Sequence, residues 1–214
     1  MPRHSLDRLY SQKRGRSATK RDEFERVAWR VMVAQEVDPE RLVFVDEMGV
    51  HTSLAPLYGY SRKGERLHLQ VPRNRGKNTT LLASMTLSGM GETMAVEGST
   101  NQEAFEAYVE HVLRPTLEAG QLVVMDNLSA HKPARVRELI ESRSCELIYL
   151  PAYSPDFNPI EEAFAKIKGM LRQAGARTKD ALVDVLGEAL SAISAHDAQG
   201  YFEHAGYHSQ AQLL

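Results

Sequence analysis

The chain has 214 residues, of which 43% are hydrophobic and 25% charged, with a formal net charge of −2 and a single cysteine, Cys145. This composition is typical of a globular protein, and the length allows one large domain. One cysteine excludes an internal disulfide and a cysteine-rich zinc site. The chain has neither a signal peptide nor an apolar run near the ~20 residues of a membrane-spanning helix, so we expect a cytoplasmic protein without membrane contact.

Apolar periodicity predicts helices and strands in an order that indicates a mixed sheet. The first element is a helix over 22–36 with one apolar face. That face comprises Phe24, Val27, Ala28, Val31 and Met32. The later predicted elements are, in chain order, strand 42–53, hairpin 57–71, strands 79–89 and 92–97, helix 101–118, strand 122–127, helix 133–142, strand 145–151 and helices 159–173 and 178–194. Hairpin-linked strands followed by parallel crossovers favour an α/β fold in which helices flank a mixed β-sheet.

Two basic segments contrast with the nearly neutral chain. Residues 1–21 contain seven lysines and arginines against Asp7 alone. The second segment, 62–77, contains Glu65 and the following basic residues: Arg62, Lys63, Arg66, Arg73, Arg75 and Lys77. Such clusters can neutralise phosphates and release counterions. Either cluster alone is more typical of a solvated tail or a solvated hairpin.

Three carboxylates are expected at one edge of the predicted sheet. Asp46 lies in VFVDE on the first strand, and Asp126 ends the apolar run VVMD. Glu161 lies at the start of the helix that follows the strand 145–151. Because this helix begins where that strand ends, we expect Glu161 at the edge of the sheet formed by the carboxyl ends of the parallel strands. Three converging carboxylates repel one another unless a cation neutralises them. Hard oxygen ligands favour Mg²⁺ or Mn²⁺ over zinc.

Glu161 also has a simpler interpretation as part of a helix cap. Asn158 is a good N-cap residue, Pro159 suits the first helical position, and Asn-x-x-Glu is close to a capping box. From this segment alone capping is favoured; together with Asp46 and Asp126, metal ligation is favoured. Glu162 lies ~100° further around the helix and is kept as an auxiliary residue.

The segments VFVDE, VVMDNLSAHK and YLPAYSPDFNPIEEAFAKIK together resemble the catalytic domain of mariner-superfamily DDE transposases, most closely the bacterial insertion-sequence branch. The second and third acids of that family are about 34 residues apart, and 34 residues lie between Asp126 and Glu161. The resemblance implies an RNase H-like fold, two Mg²⁺ ions (replaceable by Mn²⁺), and cut-and-paste transposition into TA-containing targets. It implies that Asp46, Asp126 and Glu161 are the catalytic metal ligands.

The resemblance also suggests roles for neighbouring residues. Asn127 matches the Asn of the family's DN-x-x-x-H segment and either orients Asp126, contacts substrate or shapes the turn. His131 matches the His of that segment and is either a DNA-contacting or site-orienting residue or a packing residue at a helix N-terminus. The basic residues of 62–77, together with Lys168, are expected to contact DNA phosphates.

The implied organisation is a basic arm and short helix (1–40), an RNase H-like DDE catalytic domain (41–195) and a C-terminal tail (196–214). Family members carry helix-turn-helix units before the catalytic domain, for which about 40 residues are too few. Expected partners are therefore the terminal inverted repeats of the element, target DNA, a second copy in a homodimer and, as one option, a separately encoded DNA-binding subunit, all at the nucleoid. Two alternatives remain: an RNase H-like nuclease without strand transfer, and a catalytically silent DNA-binding or dimerising fragment that regulates a full-length transposase.

Overall fold

The computed structural model describes residues 22–56, 58, 60–66, 68, 71, 78–127 and 134–208. The basic arm 1–21 and the predicted site residues Arg73, Arg75, Lys77 and His131 lie outside the described residues. The strands are β1 (Leu42–Val50), β2 (Thr79–Thr86), β3 (Gly89–Glu97), β4 (Leu122–Met125) and β5 (Glu146–Tyr149). The helices are α1 (Glu23–Trp29), α2 (Gln102–Tyr108), α3 (Ala134–Glu141), α4 (Ile160–Ala174), α5 (Lys179–Ser191) and α6 (Ala195–His204).

The five strands form one mixed sheet in the order β3-β2-β1-β4-β5. The consecutive strands β1, β2 and β3 pair antiparallel, whereas β1, β4 and β5 pair parallel. All four residues of β4 are buried, as expected for a central parallel strand covered on both faces. The predicted α/β fold with a mixed sheet is therefore confirmed.

Alternation along β1 builds two apolar cores, one on each face of the sheet. Phe44 points to the face covered by α4, α5 and α6, where it packs among Phe164 and Phe202. Val45 points to the opposite face, which α2 and α3 cover. This three-layer arrangement holds the central strands rigidly, so their carboxyl ends are fixed in space.

The predicted buried face of the first helix is wrong. Phe24 and Met32 are 83% and 70% exposed, and Val27 and Val31 are also exposed. Arg26 and Trp29 are buried instead. Apolar periodicity treats arginine as a surface residue, and it cannot anticipate that Arg26 pairs with an aspartate far away in sequence. In addition, the helix continues as a π-helical segment over Arg30–Gln35, which rotates the later positions away from the predicted face.

The C-terminal region also differs from the prediction. Residues assigned to a tail form α6, which begins with a capping box between Ser194 and Asp197. Phe202 of this helix is fully buried and packs edge-on against Phe44, with ring centroids 5.3 Å apart. The capping box explains why a new helix starts so soon after α5 ends at Ser191.

The predicted hairpin between β1 and β2 is not seen in the described positions of 51–78, which contain turns but no strand. Within the described part of the chain, no helix is both long enough and apolar enough to cross a membrane.

Candidate active site

Asp46 and Asp126 lie side by side at the carboxyl edge of the parallel strands. In the register of β1 and β4, Val45 pairs with Met125. Asp46 and Asp126 are the next residues on the two chains, so they occupy equivalent positions. The sequence pattern alone indicated this juxtaposition, because each acid follows a run of apolar strand residues.

Both oxygens of the Asp46 carboxylate accept hydrogen bonds. Its Oδ1 accepts from the backbone N–H of Glu47 at 2.7 Å, and its Oδ2 accepts from Nδ2 of Asn158 at 2.8 Å. Asp46 is only 7% exposed. Each bond helps to orient the carboxylate.

Glu161 is not part of a helix cap. The helix α4 begins at Ile160 after Pro159 and has no side-chain capping bond. Asn158, which the sequence suggested as the cap, donates its side-chain amide to Asp46 instead. Glu161 lies exposed in the first turn, and no side-chain hydrogen bond or ion pair engages it within the described residues. Its carboxylate is therefore available to a ligand, in a position that the helix dipole favours for a negative charge.

The three acids open onto one cavity of about 420 Å³. Asn127 and Asn158 also line it, as does the loop after β5. Carboxylate and amide oxygens are the donors that Mg²⁺ and Mn²⁺ prefer, and Oδ1 of the buried Asn158 has no hydrogen-bond partner among the described residues. These donors fit such an ion. No group of three or more His, Cys, Asp or Glu side chains among the described positions is already close enough to hold one, so the acids would have to converge on binding.

Tyr153 in the cavity wall has an unusual backbone conformation that sequence reasoning missed. Its φ of 55° lies in the left-handed region, which costs about 1–3 kcal/mol for a non-glycine residue. The side chain is 55% exposed at the cavity rim. The conformation turns the chain sharply between β5 and the short helical turn at Pro155–Phe157.

The remaining predicted residues are distributed around this site. Asn127 lines the cavity. Glu162 instead points towards α6, where its Oε1 lies 2.5 Å from Nδ1 of His204; this hydrogen bond raises the pKa of His204. Lys168 is partly buried on α4. Arg62 and Arg66 line a separate surface pocket, and Lys63 is exposed in the adjoining turn.

Comparison with known proteins identifies the family. Residues 41–183 match the family described as DDE superfamily endonuclease, a match over more than half of the chain. The chain belongs to this family. The matched range contains all three acids, Asp46, Asp126 and Glu161.

The relatives of this DDE superfamily member are transposases. It is 25% identical over 137 residues to the Tc1 transposase of Caenorhabditis elegans, covering 62% of the chain and 50% of Tc1. It is 22% identical over 129 residues to the Tcb2 transposase of Caenorhabditis briggsae, covering 58% of the chain and 47% of Tcb2. The chain thus spans about half the length of these curated relatives.

The fold of the chain is similar to that of part of the Mos1 transposase. The Mos1 paired-end complex with the left transposon end superposes with a TM-score of 0.73 at 20% identity, over 94% of the chain and 65% of Mos1. The isolated catalytic domain of Mos1 mariner transposase superposes with a TM-score of 0.61 at 16% identity, over 86% of each chain. The predicted RNase H-like fold is confirmed by these superpositions.

Proposed function

We propose that this chain is the catalytic domain of a Tc1/mariner-type transposase, which cleaves DNA strands and joins the freed ends to a target. The observation that carries the proposal is the common cavity of Asp46, Asp126 and Glu161 at the carboxyl edge of the sheet. Mos1 structures with Mn and with Mg support a requirement for divalent metal here. We take Asp46, Asp126 and Glu161 as the ligands and two ions as the stoichiometry.

The proposed chemistry needs positioned carboxylates and no covalent enzyme intermediate. When bound, the two ions would activate a water or hydroxyl nucleophile and neutralise charge on the departing 3′ oxygen. The three acids would hold the ions, and the Asn158 amide and the Glu47 N–H orient Asp46. In cleavage, water attacks a phosphodiester and the bond to the 3′ oxygen breaks. In joining, the freed 3′-hydroxyl replaces water and attacks a target phosphodiester, from which another 3′ oxygen departs.

We propose that the segment between β1 and β2 binds the phosphate backbone of DNA. Arg62, Lys63 and Arg66 lie exposed or at the surface pocket there, and the proposal extends to Arg73, Arg75 and Lys77. Positive side chains in the segment that follows the first acid would contact phosphates flanking the bond to be cut. We propose Lys168 as a further contact to DNA phosphates. We also propose that Asn127 and His131, which follow Asp126 in the sequence, contact the DNA.

Several finer assignments rest on the family resemblance and on the Mos1 complexes, which are named for paired transposon ends and strand transfer. We propose membership of the bacterial insertion-sequence branch, TA-containing targets, action as a homodimer at the nucleoid, and recognition of the element ends by a separate DNA-binding region or subunit. We also propose residues 41–195 as the main part of the catalytic unit, to which α1 and α6 add through their packing into the same core. The packing of α1 and α6 into the core supports including both helices in any expressed version.

Single isosteric substitutions of the acids test the proposed chemistry. We expect Asp46→Asn, Asp126→Asn and Glu161→Gln each to abolish Mn²⁺-dependent nicking of DNA that carries the element ends, with an unchanged circular dichroism spectrum. Asp184→Asn, an exposed acid on α5, is the matched control and should cut normally. Normal cleavage by any of the three variants would remove that residue from the site.

Strand transfer separates a transposase from a simple nuclease. A substrate with a pre-cut 3′-hydroxyl end is incubated with plasmid target and Mn²⁺, and joined products are counted. We expect joined products that require all three acids. Cleavage without joining would favour the nuclease alternative, and binding without either reaction would favour a silent regulatory fragment.

Reversing the charge of basic residues between β1 and β2 tests the proposed DNA contacts. Replacing Arg62, Lys63 and Arg66 together by Glu should weaken DNA binding and reduce the slope of log K against log salt by roughly 0.9 for each phosphate that is no longer neutralised. Lys179→Glu is the control, because Lys179 pairs with Glu97 on the edge strand β3. An unchanged salt slope in the triple variant would show that the segment is only a solvated loop.

A further inference from the structure

We propose that Asn158 is the positioning residue for the first acid of the site, and that α1 holds Asn158 in place through the short turn Pro155–Phe157. This inference rests on the proposed function, since it concerns the orientation of the proposed ligand Asp46. It makes the first helix a functional part of the catalytic unit.

The amide of Asn158 has a defined orientation. Nδ2 donates to Oδ2 of Asp46 at 2.8 Å, and Asn158 is 5% exposed. An ionised carboxylate can only accept hydrogen bonds, so the nitrogen of the amide must face Asp46. The amide oxygen therefore faces elsewhere. It is buried, has no hydrogen-bond partner in the described part of the chain, and belongs to a side chain in the cavity wall, so it is available to accept from a group that enters the cavity.

The turn before Asn158 is tied to α1 by an ion pair. Arg26 donates through Nη1 and Nη2 to the two carboxylate oxygens of Asp156, at 3.0 and 2.6 Å. The same guanidinium lies over the ring of Phe157, 4.2 Å from its centroid. Arg26 is fully buried, so its two-pronged contact fixes the turn in one geometry.

A second link reaches the same turn through Tyr207. Nε1 of Trp29 donates to the hydroxyl of Tyr207 at 2.9 Å, and that hydroxyl donates to the carbonyl of Phe157 at 2.7 Å. Both bonds are buried. Two independent links from α1 therefore converge on the two residues that precede Asn158.

Groups that orient metal ligands typically change metal affinity or activity by about 10–100-fold when they are removed. If Asn158 positions Asp46, replacing Asn158 should weaken metal binding while the chain still folds. Loosening the turn from α1 should act in the same direction with a smaller effect, because Asn158 itself remains.

The test measures Mn²⁺ binding to the full chain by titration calorimetry, together with the Mn²⁺ concentration that gives half-maximal DNA nicking. The variants are Asn158→Leu, which keeps the side-chain size, and Trp29→Phe, which removes the indole N–H donor together with part of the buried ring. Gln173→Leu replaces an exposed amide on α4 and is the control. We expect roughly 10–100-fold weaker Mn²⁺ binding for Asn158→Leu, a smaller decrease for Trp29→Phe, and no change for the control.

A purely structural role would lower the amount of folded protein without moving the half-maximal Mn²⁺ concentration, and that result would overturn the inference. Asn158→Ala replaces Asn158→Leu if the leucine variant does not fold, with the same expectation. If the wild-type chain binds Mn²⁺ and cuts DNA while a folded Asn158 variant matches it in both, only this inference fails. If the wild-type chain neither binds Mn²⁺ nor cuts DNA, the proposed function fails as well.

Discussion

The buried hydroxyl of Tyr207 provides a direct test of how tightly α1 is fixed to the turn Pro155–Phe157 before α4. Tyr207 is 1% exposed, and burial raises the pKa of its hydroxyl far above the usual value, so the group stays protonated and acts as a hydrogen-bond donor. It accepts from Nε1 of Trp29 and donates to the carbonyl of Phe157. Tyr207→Phe removes both bonds while leaving the ring in place.

The expected decrease in stability follows from these two hydrogen bonds. A buried donor or acceptor left without a partner costs about 1–3 kcal/mol, and here one donor and one acceptor are left. The phenyl ring keeps its packing against Phe44 and Phe202, so no large cavity forms. We therefore expect the free energy of unfolding to fall by about 2–4 kcal/mol, in the lower half of the summed range. For a domain of this size that corresponds to a decrease in melting temperature of roughly 5–15 °C.

Urea unfolding followed by circular dichroism measures this change. Tyr201→Phe is the matched control, because Tyr201 lies on α6 and its hydroxyl makes no hydrogen bond within the described part of the chain. The control should stay within about 0.5 kcal/mol of the wild type. A Tyr207→Phe variant as stable as the control would show that the link between Trp29 and Phe157 does not hold α1 in place.

Two further predictions concern α4. The hydrogen bond that His204 donates to Glu162 raises the pKa of His204, so Glu162→Gln should lower that pKa in an NMR titration, whereas Glu188→Gln on α5 should leave it unchanged. Because the folded chain binds this proton more tightly than the unfolded chain, the pair should stabilise the fold most below about pH 6.5 and cease to do so as the pH rises through the raised pKa. Gly175 ends α4 with a φ of 60°, so Gly175→Ala should lower the free energy of unfolding by about 1 kcal/mol. Gly169→Ala, inside the same helix with open space for a Cβ, should raise it by up to about 1 kcal/mol; equal effects of both changes would contradict this reasoning.

The parts of the site that local pattern determines were predictable from sequence. Apolar runs ending in an acid predicted that Asp46 and Asp126 would share one edge of the sheet, and the register of β1 and β4 places them at equivalent positions. The sequence also predicted a helix that presents Glu161 after the last strand. Each of these predictions requires only the periods of helices and strands and the rule that parallel strands end on one edge.

Contacts between distant residues were not predictable in this way. Arg26 and Asp156 lie 130 positions apart, and Trp29 and Tyr207 lie 178 apart. Periodicity assigns arginine to the surface, so it selected the face of α1 that contains Phe24 and Met32, which are exposed. A buried charge is tolerated only where a partner and hydrogen bonds meet it, and such a partner becomes visible only in the folded chain.

The way the backbone begins α4 argues against the capping interpretation of Glu161. The N–H groups of Glu161 and Glu162 bond to the carbonyls of Asn158 and Pro159, each at 3.2 Å, so the backbone itself satisfies the first turn. No side chain is needed as a cap, and this frees both polar groups that a capping box would have used. The Asn158 amide turns to Asp46, and the Glu161 carboxylate remains open to the cavity. The backbone hydrogen bonds at the start of α4 thus leave the Asn158 amide available to orient Asp46 and leave the Glu161 carboxylate available to a ligand.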